Sequence, residues 1–228
     1  MKKLLFVFSI LLIFACSKET SNFTLKGNIK GLKKGTVYLE RAQDSTYKII
    51  DSLVINGNPE FELHCNLEEP EVLFLRLNKN DNKEGIVTFF ADKGITEINS
   101  TLKNFNFNAK IKGSKQQELL EEYILMMSKF NDKNLDLIKE HFEQKKENDT
   151  LATDFETQYN SLLKRKYLYT INFAVTHNSS EVAPYLAVAE IADANPKYLD
   201  TIYKSLDSNI KSTLYGKKLK EIIDKRNQ

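Results

Sequence analysis

The residues able to do chemistry in this chain of 228 are two cysteines, three histidines and a few clusters of acidic, amide or glycine residues. His64, His141 and His177 stand far apart, and none shares a metal-ligand spacing with another histidine or a cysteine, so no metal site is expected. His177 precedes Ser179 and Ser180 closely, but nearness in sequence does not build the nucleophile, base and orienting group of a triad. His64 therefore reads as a strand-surface residue, His141 as part of a charged helix and His177 as a helix-end residue. Asn78, Asn80 and Asn82 alternate like the first ligands of a calcium loop, with Asp81 and Glu84 nearby. Lys83 then stands where that loop needs glycine and Phe89 where it needs a bidentate glutamate. A solvated hairpin loop is the expectation. Gly27, Gly31 and Gly35 recur regularly but lack the Gly-Lys-Ser/Thr ending of a phosphate loop, and they read as turns. The acid pairs Glu68-Glu69 and Glu121-Glu122 point apart as sequence neighbours, which makes them surface groups. No catalytic residue, metal or cofactor is expected.

The two cysteines differ in setting. Cys16 follows Leu11-Leu12-Ile13-Phe14-Ala15, behind Lys2-Lys3 and an apolar run from Leu4 to Phe14 broken only by Ser9. Eleven helical residues span about 16 Å, roughly half of a ~30 Å hydrocarbon core, so the run is too short for a membrane-spanning helix. It resembles a bacterial lipoprotein signal peptide, although Phe14 is bulkier than the usual residue at its position. The resemblance implies cleavage before Cys16 and acylation, by palmitate or a similar chain, of its thiol and new amino terminus. The alternative is an ordinary secretory peptide cut near Ala15. Ser17-Lys18-Glu19 has no aspartate beside the cysteine, so the same resemblance implies a cell-envelope protein at the outer membrane facing the periplasm. A cell-surface position stays open, because Lys18-Glu19 is faintly similar to surface-export tags.

Loss of residues 1–15 removes Lys2 and Lys3 and leaves 31 basic residues against 31 acidic ones. A formally neutral chain offers no charge footprint for nucleic acid or for an anionic membrane face, and no nucleic-acid partner is expected. With Cys16 acylated, Cys65 is the one thiol left, which excludes a disulfide framework or a dithiol pair within the chain.

The composition shifts near Gly113. Before it the chain is rich in β-branched and aromatic residues with period-two alternation, and strands are expected near 23–29, 36–43, 47–55, 60–67, 71–77, 85–91, 95–100 and 106–112. Turns at Gly31 to Gly35, at Asn56-Gly57-Asn58-Pro59 and at Asn78 to Gly85 favour hairpins. Phe61, Leu63, Cys65 and Leu67 fall on one face of a strand and Glu60, Glu62, His64 and Asn66 on the other, so Cys65 reads as a core thiol.

After Gly113, Ser114-Lys115-Gln116-Gln117 has capping-box spacing and opens a helix through Leu119, Leu120, Tyr123, Ile124 and Met127. A second, charged helix is expected over Leu135 to Lys146, before a break at Glu147-Asn148-Asp149-Thr150. A long third runs from Leu151 to Val175 and should form the spine. Ser179-Ser180-Glu181 opens a fourth through Ile191, Asn195-Pro196 caps a fifth, and Leu214, Leu219, Ile222 and Ile223 mark a last one. The expectation is an α+β chain: an N-terminal antiparallel β-sandwich over 23–112 behind a signal peptide (1–15) and tether (16–22), then an all-α region over 113–228. Fourteen phenylalanines and ten tyrosines, without tryptophan, are mostly core. Tyr167-Leu168-Tyr169 is the candidate lining of any groove between the two parts, against simple helix packing.

Phe23-Thr24-Leu25-Lys26-Gly27-Asn28-Ile29, Gly35-Thr36-Val37-Tyr38-Leu39, Ile50-Asp51-Ser52 and Phe61-Glu62-Leu63 resemble the uncharacterised β-rich N-terminal domain of many Gram-negative lipoproteins. Gly113-Ser114 with Gln116-Gln117, and Val182-Ala183-Pro184-Tyr185-Leu186, are similar to the connecting region of those proteins. In many of them a thioredoxin-like domain with Cys-x-x-Cys follows, and this chain is expected to stop before it. One thiolate must attack a disulfide and a second cysteine resolve it, so Cys65 alone does not carry that activity. The expectation is a non-enzymatic lipoprotein, anchored to the membrane through Cys16, that binds or scaffolds an envelope protein, with any small-molecule ligand left open. The alternative is an accessory or degenerate thiol-disulfide oxidoreductase lipoprotein working beside a separate CxxC-bearing partner. A third, weaker alternative is a hydrolase whose site is assembled from distant residues.

Overall fold

The structure, a computed structural model, describes residues 21–43, 46–78, 85–144 and 152–226. Cys16 with the whole leader, the calcium-like positions Asn80, Asp81, Asn82 and Glu84, and the expected break at Glu147 to Thr150 lie outside the described residues. The strands are β1 (Phe23–Lys30), β2 (Lys34–Gln43), β3 (Thr46–Asn56), β4 (Glu60–Cys65), β5 (Glu71–Asn78), β6 (Gly85–Ala91), β7 (Gly94–Thr101) and β8 (Lys110–Lys112). The helices are α1 (Lys115–Gln144), α2 (Ala152–Thr176), α3 (Val182–Glu190), α4 (Pro196–Ser205), α5 (Ser208–Lys211) and α6 (Leu214–Arg226). None of the helices among the described residues is long and apolar enough to cross a membrane.

The strands form two four-stranded sheets, ordered β4-β1-β7-β8 and β3-β2-β5-β6, and the helices follow, so the chain is α+β as expected. Strict alternation puts Phe61, Leu63 and Cys65 of β4 inside and Glu60, Glu62 and His64 outside. The inner faces meet in one core built from Phe23, Leu25 and Ile29 of β1, Val37 and Leu39 of β2, Leu73, Leu75 and Leu77 of β5, and Phe89 of β6. Each such side chain contributes roughly 1.5–3 kcal/mol by leaving water.

One pairing departs from the all-antiparallel reading: β1 and β7 run parallel, Phe23 opposite Gly94 and Lys30 opposite Thr101. The turn after β1 sends the chain into the other sheet, so β1 finds its partners in β4 and β7, and the hairpin partner of β2 is β3. That crossing requires Gly35, whose φ is +156° and where a Cβ would come within 2.8 Å of the Asn78 carbonyl. Gly27 has a different cause: the Phe61 ring occupies the space a Cβ would need. The last strand is also shorter than the expected 106–112. Phe105 turns into the core and its carbonyl accepts the Ser100 hydroxyl at 2.6 Å, which holds the chain in turns until Lys110.

The helices expected over 114–127 and 135–146 are a single helix, α1, of 30 residues and about 45 Å. The residues between, Ser128 to Asn134, contain neither glycine nor proline, and Phe130 packs against Tyr169 of α2, so nothing there stops the helix. α2 runs back antiparallel along α1, marked by Tyr123 with Phe173, Phe130 with Tyr169 and His141 with Phe155. It joins two apolar clusters, giving Ile171 and Ala174 to one with α3, α4 and α6 and Phe173 to another with α1. Asn195 caps α4 as read from the sequence, its side chain accepting Lys197 N–H at 3.0 Å with Pro196 following.

Candidate functional site

The strands meet the helices on the outer face of the second sheet. In β5 and β6 the alternation breaks at one end: Glu71, Val72 and Leu73 are all buried, as are Phe89, Phe90 and Ala91. A strand buried on both faces is covered on both. Val72 and Phe90 point away from the sandwich core into a cluster with Leu120, Tyr123, Phe173, Val182, Leu186 and Tyr215. Phe90 meets Tyr185 edge-on at 5.5 Å and Tyr215 at 5.9 Å.

Hydrogen bonds fix this contact. Ser114 acts as the expected cap, its hydroxyl accepting the N–H of Gln117 at 3.1 Å. The other half of the capping box is put to a different use. Gln117 does not reach back to Ser114; its side-chain carbonyl accepts the backbone N–H of Phe90 at 2.7 Å, while Ser114 donates its hydroxyl to the Phe90 carbonyl at 3.0 Å. The start of α1 thus occupies the outer edge of β6 as another strand would. Next to it, Gln116 accepts the Ser180 hydroxyl and donates to Glu181 Oε2 at 2.5 Å. Burial, with Asp92 and Glu69 nearby, holds the Glu181 carboxyl above its ordinary value.

Because Phe90 turns its N–H and C=O to the outer edge, Thr88 and Ile86 do the same by the period of two, and among the described residues no partner takes those groups. They border a cleft of about 430 Å³ between β6, β8 and α1, with Ile111 and Ile124 as apolar lining, Lys110 and Lys112 on one side and Glu121 on the other. Gln117 Nε2 donates to Glu121 Oε1 at 2.9 Å and orients that carboxylate into the rim. The cleft can bind an extended polypeptide through backbone bonds; it presents no nucleophile paired with a base.

Tyr167-Leu168-Tyr169 does not line this cleft. Tyr169 stacks on Tyr123, and Tyr167 packs against the α2–α6 cluster. His64 lies on the exposed face of β4, its Nδ1 3.2 Å from Thr24 Oγ1. His141 stacks on Phe155 at 4.3 Å, and His177 Nδ1 lies 2.9 Å from the Phe173 carbonyl at the end of α2. Ser180 is engaged by Gln116 and by Val182 N–H, away from any His177 relay. No group of three or more His, Cys, Asp or Glu able to hold a metal ion occurs among the described residues.

Cys65 sits in the sandwich core, 7% exposed, where burial pushes its thiol up to about 11. Arg41 beside it is locked to Glu71, Nε 2.9 and 2.8 Å from the two carboxylate oxygens. A second pair, Arg76 with Glu40 at 2.6 Å, lies on the outer face under Tyr38. Neither pair was legible in the sequence, because their members are joined only by strand pairing. Phe89-Phe90 and Val72-Leu73 were the available signal for the junction: consecutive apolar residues where a sandwich strand should alternate.

These features define a two-sheet β unit whose second sheet is hydrogen-bonded and packed onto a helical unit. Residues 23–120 match the family model described as a domain of unknown function (DUF4369), a span that takes in all eight strands and α1 as far as Leu120. The match agrees with the resemblance carried by Phe23 to Ile29 and Gly35 to Leu39, and it includes the Ser114 and Gln117 contacts to Phe90. Neither the curated proteins nor the solved structures contain a match to the chain.

Proposed function

We propose that the protein is a non-enzymatic envelope lipoprotein, anchored through acylated Cys16, whose β6–α1–β8 cleft binds an extended segment of an envelope protein by strand addition. One observation carries the binding reading: the chain itself uses the β6 edge as a template at Phe90, through Ser114 and Gln117, and leaves the next two edge positions, Thr88 and Ile86, open. Lys110 and Lys112 favour a segment with acidic residues. Ser17 in place of an aspartate beside Cys16 favours the outer membrane facing the periplasm, and two or three acyl chains on Cys16 would anchor stably where one does not.

Two measurements test this. Cys16→Ala should move the protein out of the membrane fraction, and a variant that still fractionates with membranes rules out acylation of Cys16 as the anchor. Thr88→Pro removes an edge N–H that makes no bond to β5, so the fold should persist while crosslinking to the partner in intact cells is lost. Unchanged crosslinking in Thr88→Pro would rule out strand addition at β6. Recovery of a CxxC-bearing protein as the crosslinked partner would identify this chain as an accessory of a thiol oxidoreductase.

A further inference from the structure

Although the chain's formal net charge is only +2, the two ends of the β unit differ. At the end where the chain enters, Asn22 is tied to Asn66 and Leu67, its side chain accepting Leu67 N–H and donating to the Leu67 carbonyl, both at 2.8 Å. Glu68, Glu69, Asp92 and Glu181 gather there, against Lys93. β1 carries the chain about 27 Å to the other end, eight residues at roughly 3.4 Å each.

Among the described residues that far end is basic. Three described loops converge on it, with Leu102 N–H bonded to the Lys30 carbonyl at 3.0 Å and Gly57 N–H to the Lys33 carbonyl at 2.8 Å. Lys30, Lys33, Lys34 and Lys103 are all exposed, and among the described residues none of them forms an ion pair. Within residues 30–34, 56–60 and 101–109 the one acidic residue is Glu60, and the β5–β6 connection over 79–84, outside the described residues, adds two lysines and two acidic residues in sequence. The same end carries Phe107, 86% exposed. Its turn is held by Asn108 N–H to the Asn104 carbonyl at 2.9 Å and by Asn108 Nδ2 to Thr101 Oγ1 at 3.2 Å, while Phe105, two residues before it, is locked in the core. An aromatic side chain held outward on a fixed turn and accompanied by unpaired lysines has the composition of an interfacial membrane contact: lysines for headgroup phosphates and a ring for the acyl boundary.

We propose that this end, Lys30, Lys33, Lys34 and Lys103 with Phe107, docks on an anionic lipid surface. The ring distinguishes a lipid surface from a soluble polyanion, which would use the lysines and leave Phe107 in water. The docking surface adjoins the β6 cleft, which Asn106 and Ala109 of the same loop line, but uses different side chains, and it does not depend on acylation of Cys16.

The test uses the unacylated chain from Ser17, which keeps every contact described above, since these begin at Asn22. It should co-sediment with vesicles containing phosphatidylglycerol, far less with phosphatidylcholine alone, and be released by high salt. Replacing the four lysines with glutamine should weaken partitioning at least tenfold with no change in the circular dichroism melting curve. The chain has no tryptophan, so Phe107→Trp supplies a single reporter whose emission should shift to the blue on phosphatidylglycerol vesicles. Unchanged partitioning of the glutamine variant, or an unshifted Phe107→Trp emission on vesicles, overturns the proposal. Binding to heparin with no binding to vesicles would also overturn it and mark the lysines as a soluble-polyanion site.

Discussion

The hydroxyl of Tyr215, in the last helix, accepts the backbone N–H of Val72, in the fifth strand, at 2.9 Å across 143 residues of sequence. β2 pairs with β5 only as far as Leu73, so Val72 N–H has no strand partner on that side, and the buried tyrosine takes its place. Replacing Tyr215 by phenylalanine keeps the ring against Phe90 and Tyr185 and removes only the acceptor. The cost should be about 1–3 kcal/mol, the penalty of a buried N–H left unmade. Urea unfolding measures it, and an unchanged midpoint would mean that this bond does not hold strands to helices.

Glu181 makes stability depend on pH in the opposite sense from an ordinary ion-paired carboxylate. Burial, then Asp92 and Glu69, hold its folded pKa above the ordinary value of 4.5, so its favourable contribution exists below that value and is lost as the pH rises through the folded pKa. At neutral pH the charged form is a liability. Glu181→Gln keeps an acceptor for Gln116 and should raise stability at pH 7, by an amount that solvent screening at this partly exposed group keeps small. The gain should vanish below pH 4.5. Equal stability of the two proteins at neutral pH would contradict this reading of the junction.

Cys65 gives a prediction in alkali. Its thiol moves from an ordinary value of 9.0 to about 11, so the folded state retains a proton that the unfolded chain gives up. The sign follows: stability is full below pH 9 and falls as the pH rises to about 11, by an order of magnitude of 2–3 kcal/mol. Tyr123 and Tyr215, also held above their usual value by burial, add to the same alkaline decline. Cys65→Ala isolates the thiol, since the tyrosines remain in both proteins. Parallel stability profiles of parent and Cys65→Ala between pH 9 and 11 would refute the assignment. A thiol reagent should label Cys65 only as the protein unfolds.

Local patterns carried a good part of this architecture. The alternation of Glu60 to Cys65 placed the thiol inside, Asn195-Pro196 marked the start of α4, and Ser114 with Gln117 marked the start of α1. Where the reading stopped short, the deciding contacts were remote. The gap between Met127 and Leu135 looked like a break because Phe130 is its one apolar residue, yet a helical turn backed by α2 needs no apolar residue on its outer side. Gln117 looked like a capping-box partner because spacing reports only neighbours within a turn, while its acceptor went to Phe90, 27 residues away.

The sequence by itself determined the two-part composition, the inward face of β4, the starts of α1 and α4 and the isolation of Cys65 from any second thiol among the described residues. These follow from periodicity, capping and residue counts, which act over a few positions. Tertiary structure alone decided the parallel pairing of β1 with β7, the burial of Val72 and Phe90 beneath the helices, the cleft beside Thr88 and, among the described residues, the gathering of Lys30, Lys33, Lys34 and Lys103 at one end of a chain whose net charge is only +2. Each of these depends on which distant segments become neighbours. That is settled by the joint burial of apolar faces and by the need to pair backbone groups, which no local spacing records.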